Sequence, residues 1–180
     1  MNRSKGRKIH ARNIEISTYE SGSENIIVEG ILKEDRLIPV YHHSGEKHPP
    51  HTVHHMVIQM QIELLSLTIK EIKVKMPQTP HGDCIQTSNS LQKLIGMRIA
   101  PGFISKVKKT LGGINGCLHL TTLLLALAPA IIQGYWVYRN KEEGNNEISP
   151  EMVNDYLIDT CWVWRKDGPL AEELKKSTKS

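Results

Sequence analysis

The stretch from Val57 to Met76 leaves its backbone little choice. Ile58, Met60, Ile62 and Leu64 alternate with Val57, Gln59, Gln61 and Glu63, and past a turn near Ser66 the residues Ile72, Val74 and Met76 alternate with Glu71, Lys73 and Lys75. A period of two suits a strand with one dry face and one wet face, so the segment reads as an antiparallel hairpin lying on a core. A second hairpin precedes it. Arg12–Tyr19 places Ile14 and Ile16 on one face, and Asn25–Lys33 follows the turn at Ser21-Gly22-Ser23.

Beyond Pro77 and Pro80 the period becomes helical. Leu91, Leu94 and Ile95 form one apolar stripe, and Phe103, Val107 and Leu111 another, with Lys106, Lys108 and Lys109 turned outward. Gly112-Gly113 stops that helix. A long apolar helix starts near Cys117 and carries Pro129 within it. Its polar residues (His119, Thr121, Thr122, Gln133) favour a core helix over a bilayer span, so no membrane insertion is expected. Lys141–Asn146 is a polar loop, and Pro150 opens a further helix through Trp164. Strands first and helices later define an α+β class: an antiparallel sheet of two hairpins followed by a C-terminal helical layer.

The 180 residues suit one domain with its own core. The boundaries read as a basic disordered tail over 1–10, a single α+β domain over 11–168 and a charged tail over 169–180. The formal charge of +4 is concentrated at the two ends, and no aromatic residues interleave with it, so no specific nucleic-acid signal is present. Three cysteines at wide spacing are not a disulfide framework, and no apolar stretch follows the first residues as in a secretory signal. The expected compartment is the reducing cytoplasm, with thiols free to act as ligands or nucleophiles.

Cys117 has the best placement for chemistry. Gly112-Gly113-Ile114-Asn115-Gly116 leads into a helix start, where unpaired N–H groups and the helix dipole favour a thiolate. Cys84 sits at another strand-to-helix junction, while Cys161, beside Trp162 and Trp164, reads as core packing. Six of the nine histidines fall between His42 and His55, and the loop from Tyr41 to Thr52 holds four of them. His54 and His55 enter the alternating strand with opposite parity, so only one can face the core. His119 can share an ion with Cys117 only if Cys117 lies at or before the helix cap. No strong metal or nucleotide motif is present.

Two blocks carry a resemblance: Leu94-Ile95-Gly96-Met97-Arg98-Ile99-Ala100-Pro101-Gly102-Phe103, and Leu111-Gly112-Gly113-Ile114-Asn115-Gly116-Cys117-Leu118-His119-Leu120. With His54-His55-Met56, Cys84 and Leu157-Ile158-Asp159-Thr160-Cys161, the chain resembles the bacterial Domain of Unknown Function family 2889 from about Arg12 to Gly168. It departs from that family at His55, where an acidic residue is usual, and at Leu118, where Thr is common. The family name implies no activity. The layout is also distantly similar to the IscU/NifU/SufE scaffold fold, which implies Cys84 and Cys117 as ligand positions with His54 or His55 near a third.

Three functions follow as expectations. The first is a metal protein holding zinc or an iron–sulfur cluster through Cys84, Cys117, His54, His55 or His119, with a role in cluster or sulfur handling implied by the scaffold resemblance. The second is a thiol enzyme with Cys117 as nucleophile and His119 or another nearby His as base. The third is a non-catalytic binding module using a pocket between the sheet and the long helix. Partner and oligomeric state have no signal in the sequence.

Overall fold

The computed structural model describes residues 6–42, 44–141 and 150–177. Four long strands build one antiparallel meander: β1 (His10–Ser21), β2 (Asn25–Arg36), β5 (His51–Glu63) and β6 (Thr68–Gln78), in the order β1-β2-β5-β6. Between β2 and β5 the two-residue strands β3 (Val40–Tyr41) and β4 (Lys47–His48) pair as a small separate hairpin, inside what the sequence reads as loop. The expected α+β class is therefore present, with both hairpins where alternation placed them.

Ile26, Val28, Gly30 and Leu32 of β2 and Met56, Ile58, Met60 and Ile62 of β5 are buried on the same face of the sheet. Their partners are helical. α1 (Phe103–Leu111) buries Phe103, Val107 and Leu111, the predicted stripe, and α2 (Leu118–Arg139) buries Leu120, Leu123, Leu124, Leu127 and Ile131. Burial of such side chains stabilises by about 1.5–3 kcal/mol each, so this seam is the main source of fold stability. α2 continues helical through Pro129 and packs on β2 with β1 and β5 alongside. By length and composition it could cross a membrane, yet it lays this face on the sheet.

Two glycines set how close α2 lies. A Cβ at Gly30 would come within 3.0–3.1 Å of the Leu123 and Leu127 side chains. A Cβ at Gly134 would run into Thr18 of β1, including its Cβ at 2.9 Å. Both contacts are below ordinary carbon–carbon spacing, so helix and sheet sit nearly backbone to backbone here.

Several sequence expectations change. β2 runs three residues past Lys33, to Arg36. The segment Gly82–Leu94 is a 3-10 helix, with three residues per turn. Leu91 and Leu94 then eclipse and are buried, whereas Ile95 falls off the stripe and is 43% exposed. The helix expected through Trp164 is α3 (Pro150–Tyr156) alone. Soon after its end Asp159 adopts a left-handed φ of 59° and accepts a hydrogen bond from the Lys166 N–H at 3.0 Å, turning the chain away. Cys161 is consequently exposed instead of core-packed, and Trp162 lies outside with the Arg165 guanidinium over its ring at 4.4 Å. His10, assigned to the basic tail, opens β1, and the charged C-terminal segment is helical as α4 (Pro169–Ser177). The tail residues 1–5 and 178–180, and most of the polar loop after Lys141, lie outside the described residues.

Candidate metal centre

The buried face of β2 ends in a carboxylate. Ile26, Val28, Gly30, Leu32 and Glu34 share one parity, and Glu34 is 8% exposed. A buried charge needs partners, and the register supplies them from both sides. Arg12 of β1 and His54 of β5 are both directly opposite Glu34, so a row Arg12–Glu34–His54 crosses the sheet. Val53 is an extra residue in β5 beside this row: His54 pairs with Glu34 but Thr52 with Asp35. Such a bulge re-aims the side chains next to it.

Each oxygen of Glu34 has its own set of partners. Oε1 accepts from Arg12 Nη2 at 2.7 Å and Nε at 3.1 Å, and meets His10 Nε2 at 2.8 Å. Oε2 meets His54 Nδ1 at 2.7 Å and lies 3.3 Å from His119 Nε2. The His54 and His119 rings stack with centres 3.7 Å apart. Among the described residues, Glu34, His54 and His119 are the group whose ligand atoms all lie within 4.8 Å of one another.

The electrostatics favour a carboxylate facing imidazole. Burial by itself would raise the Glu34 pKa, but hydrogen bonds from Arg12, His10 and His54 and the Arg12 charge outweigh it, lowering the pKa to about 2. His119 is held below the ordinary histidine value, first by burial and then by the neighbouring His54, against the opposing pull of Glu34. A neutral imidazole is the ligating form.

A lowered carboxylate pKa is a stability statement with a definite sign. The folded value of about 2 lies below the ordinary 4.5, so the contribution is present above about pH 4.5 and lost as pH falls toward 2. After screening at the half-open side, where Arg12 and His10 reach solvent, we expect a loss on the order of 2 kcal/mol across that window. Urea unfolding at stepped pH measures it. Glu34→Gln should flatten this part of the profile, and an unchanged slope in the variant would assign acid lability elsewhere.

The remaining predicted residues divide. Cys117 is the N-cap of α2, with extended backbone, the position the sequence required for it to share an ion with His119, but it is not a member of the Glu34 group. Its Sγ lies 3.9 Å from His119 Nδ1. Gly116 is required immediately before it, since a Cβ there would approach the Leu111 carbonyl at 2.8 Å. His55 alternates with inward-facing Met56 and so takes the opposite face from His54. Cys84 lies half-buried in the 3-10 helix, its N–H bonded to the His81 carbonyl, and is not a member of the Glu34 group. Glu34 and His10 were absent from the sequence reading. A cavity of about 530 Å³ does open between β1 and α2, lined by Ile16, Thr18, Ala130 and Gly134 among others, but by no member of the group.

These features define a class of protein: a four-stranded antiparallel meander covered on one face by a long helix, with a histidine–carboxylate cluster where that helix begins. A family model described as "Protein of unknown function (DUF2889)" matches residues 10–133, and the chain belongs to that family. The matched span runs from His10 through α2 as far as Gln133, and so includes Glu34, His54 and His119 together with Arg12 and His10. No curated protein and no solved structure matches the chain, and the likeness to the IscU-type scaffold gains no confirmation.

Proposed function

We propose that the protein is a metalloprotein whose centre is one divalent transition ion, zinc before iron(II), held by Glu34, His54 and His119. The carrying observation is that one buried carboxylate oxygen, Glu34 Oε2, faces two imidazole nitrogens at 2.7 and 3.3 Å. An ion bound there would take the place of any proton shared between the carboxylate and an imidazole. Two histidines and one carboxylate are a known ligand set for catalytic zinc and for non-haem iron(II), and the affinity order at a mixed nitrogen–oxygen site favours zinc.

Arg12 and His10 then act on the metal through Glu34. They occupy Oε1 and leave Oε2 toward the imidazoles, fixing the carboxylate's orientation as outer partners of metal ligands do. Cys117 stands on the other side of His119, facing Nδ1 while Nε2 faces Glu34. The two ring nitrogens diverge, so an ion on the Nε2 side does not reach this thiol. The ligand count is therefore three, and the ion keeps open positions for water or a substrate oxygen, the condition for Lewis-acid chemistry. Free thiols at 84, 117 and 161 fit a reducing cytoplasm.

Zinc titration of metal-stripped full-length protein tests this. One equivalent should bind, with X-ray absorption showing nitrogen and oxygen scatterers and no sulfur at roughly 2.3 Å. A sulfur shell would place Cys117 or Cys84 in the coordination sphere and overturn the ligand assignment. No bound equivalent, or a visible spectrum of an iron–sulfur cluster after anaerobic purification, would overturn the mononuclear reading. The Cys117–His119 contact favours thiol chemistry as a second reading. It requires fast alkylation of Cys117 at neutral pH by iodoacetamide, which a zinc-only centre does not.

A further inference from the structure

A second cluster of basic side chains lies two rows further along the sheet. Arg36 of β2 is paired directly with His51 of β5, beyond the Asp35–Thr52 pair that follows the Glu34 row. The β3–β4 hairpin and the chain after β6 close over this pair and leave a cleft of about 330 Å³. Its polar lining comes from four segments: Arg36, His42 and His48, His51, and Gln78, Thr79 and His81. No carboxylate lines it. Arg36 has no ion-pair or hydrogen-bond partner for its side chain among the described residues, although it is only partly exposed. A guanidinium left unpaired at the floor of a polar cleft is complementary to an oxyanion, for which it offers a planar fork of donors.

We propose that this cleft binds a phosphate monoester, with Arg36 gripping the phosphoryl oxygens and His48 and His81 donating N–H groups around it. The imidazoles could instead suggest a second metal, but their geometry differs from that at Glu34. The ring centres of His42 and His48 are 5.7 Å apart and those of His48 and His51 are 6.1 Å apart, and no three of their nitrogens gather as the Glu34 group does. The Arg36 charge also repels a cation at the same place. His51 Nδ1 meets the Pro49 carbonyl at 2.7 Å, which makes that nitrogen the donor and fixes the ring. The volume accommodates a phosphate group with a small organic substituent, at the lower end of ligand-pocket sizes. The charged and titratable groups lining the cleft are Arg36 and the four imidazoles, and Glu46 lies outside the lining with its Oε2 3.7 Å from His48 Nε2.

The test is calorimetric titration of the metal-stripped protein with phenyl phosphate, with inorganic phosphate and sulfate as separate arms. Phenyl phosphate should bind more tightly than inorganic phosphate, marking a monoester site. Arg36→Gln should weaken it at least about tenfold, and His81→Gln, on an exposed loop, should weaken it a fewfold with the fold intact by circular dichroism. Equal affinity for all three anions would show a general anion patch and overturn the monoester assignment. Affinity within twofold of wild type in both variants, no binding in the wild type, or zinc bound by this cleft when Glu34 is replaced by Gln would overturn the site itself.

Discussion

Glu34→Gln should lower zinc affinity at least about a hundredfold, equivalent to about 2.8 kcal/mol, while leaving the protein folded. The amide preserves the shape of the carboxylate and can still accept from Arg12 and His10 at the position of Oε1. At the position of Oε2 it fails in either orientation. An amide nitrogen there cannot ligate an ion, and a neutral oxygen there is a much weaker ligand than a carboxylate opposite two imidazoles. The change also leaves Arg12 without its counter-charge. Arg12 is 39% exposed and His10 50% exposed, so water replaces much of the lost interaction and the stability cost stays modest. Glu63→Gln provides the control: that carboxylate is bonded by Lys70 and Ser66 at the opposite end of β5 and should leave zinc affinity within twofold. Competition against a chromophoric chelator measures both. Equal zinc affinity in wild type and Glu34→Gln would remove this centre from consideration, whatever the affinity proved to be.

The part of this molecule that alternation encodes was legible, and the part that register encodes was not. Ile58, Met60 and Ile62 announce both a strand and its dry face, because burial acts on each residue independently. The same parity includes His54 through Met56, so the choice between His54 and His55 was present in the chain once the core face was fixed. Glu34 was hidden for a related reason. The apolar content of β2 ends at Leu32, and a strand bounded by apolar content stops one inward position too early. Continuing the phase Ile26, Val28, Gly30, Leu32 would have placed a carboxylate indoors, which is the signal that could have found it. Its pairing with Arg12 and His54 depends on strand register and on the bulge at Val53, and no local periodicity carries that information. The helix start at Cys117 was readable from Gly112–Gly116, whereas its direction across the sheet, which brings His119 to Glu34, depends on tertiary packing. Ile95 shows the opposite error: a period of 3.6 was assumed where the backbone takes three residues per turn.

That packing makes a second large effect testable far from the cluster. Gly134→Val should destabilise the fold by about 3 kcal/mol, and it should also weaken zinc binding. Gly in a helix interior ordinarily costs about 1 kcal/mol relative to Ala, so its presence in α2 calls for a steric reason. That reason is Thr18. A Cβ at position 134 would meet the Thr18 side chain, and because one of the contacts is to Thr18 Cβ at 2.9 Å, no rotamer change relieves it. The helix must instead lift from β1. Position 134 lies fifteen residues from His119, about 22 Å along the axis, so the added methyl groups touch nothing at the cluster. A helix that tilts at one end nevertheless moves His119 Nε2 at the other, and the 3.3 Å approach to Glu34 Oε2 tolerates little movement. Thr18→Gly removes the obstacle and should restore both properties in the double variant, a coupling of at least about 2 kcal/mol in a double-mutant cycle. Thermal unfolding should show Gly134→Val lowered by roughly 6–12 °C and the double variant recovering most of it. If stability returns in the double variant but zinc affinity does not, the lifted helix is not the link between the two. If Gly134→Val is as stable as wild type, α2 does not lie on β1 as closely as Gly134 and Thr18 require.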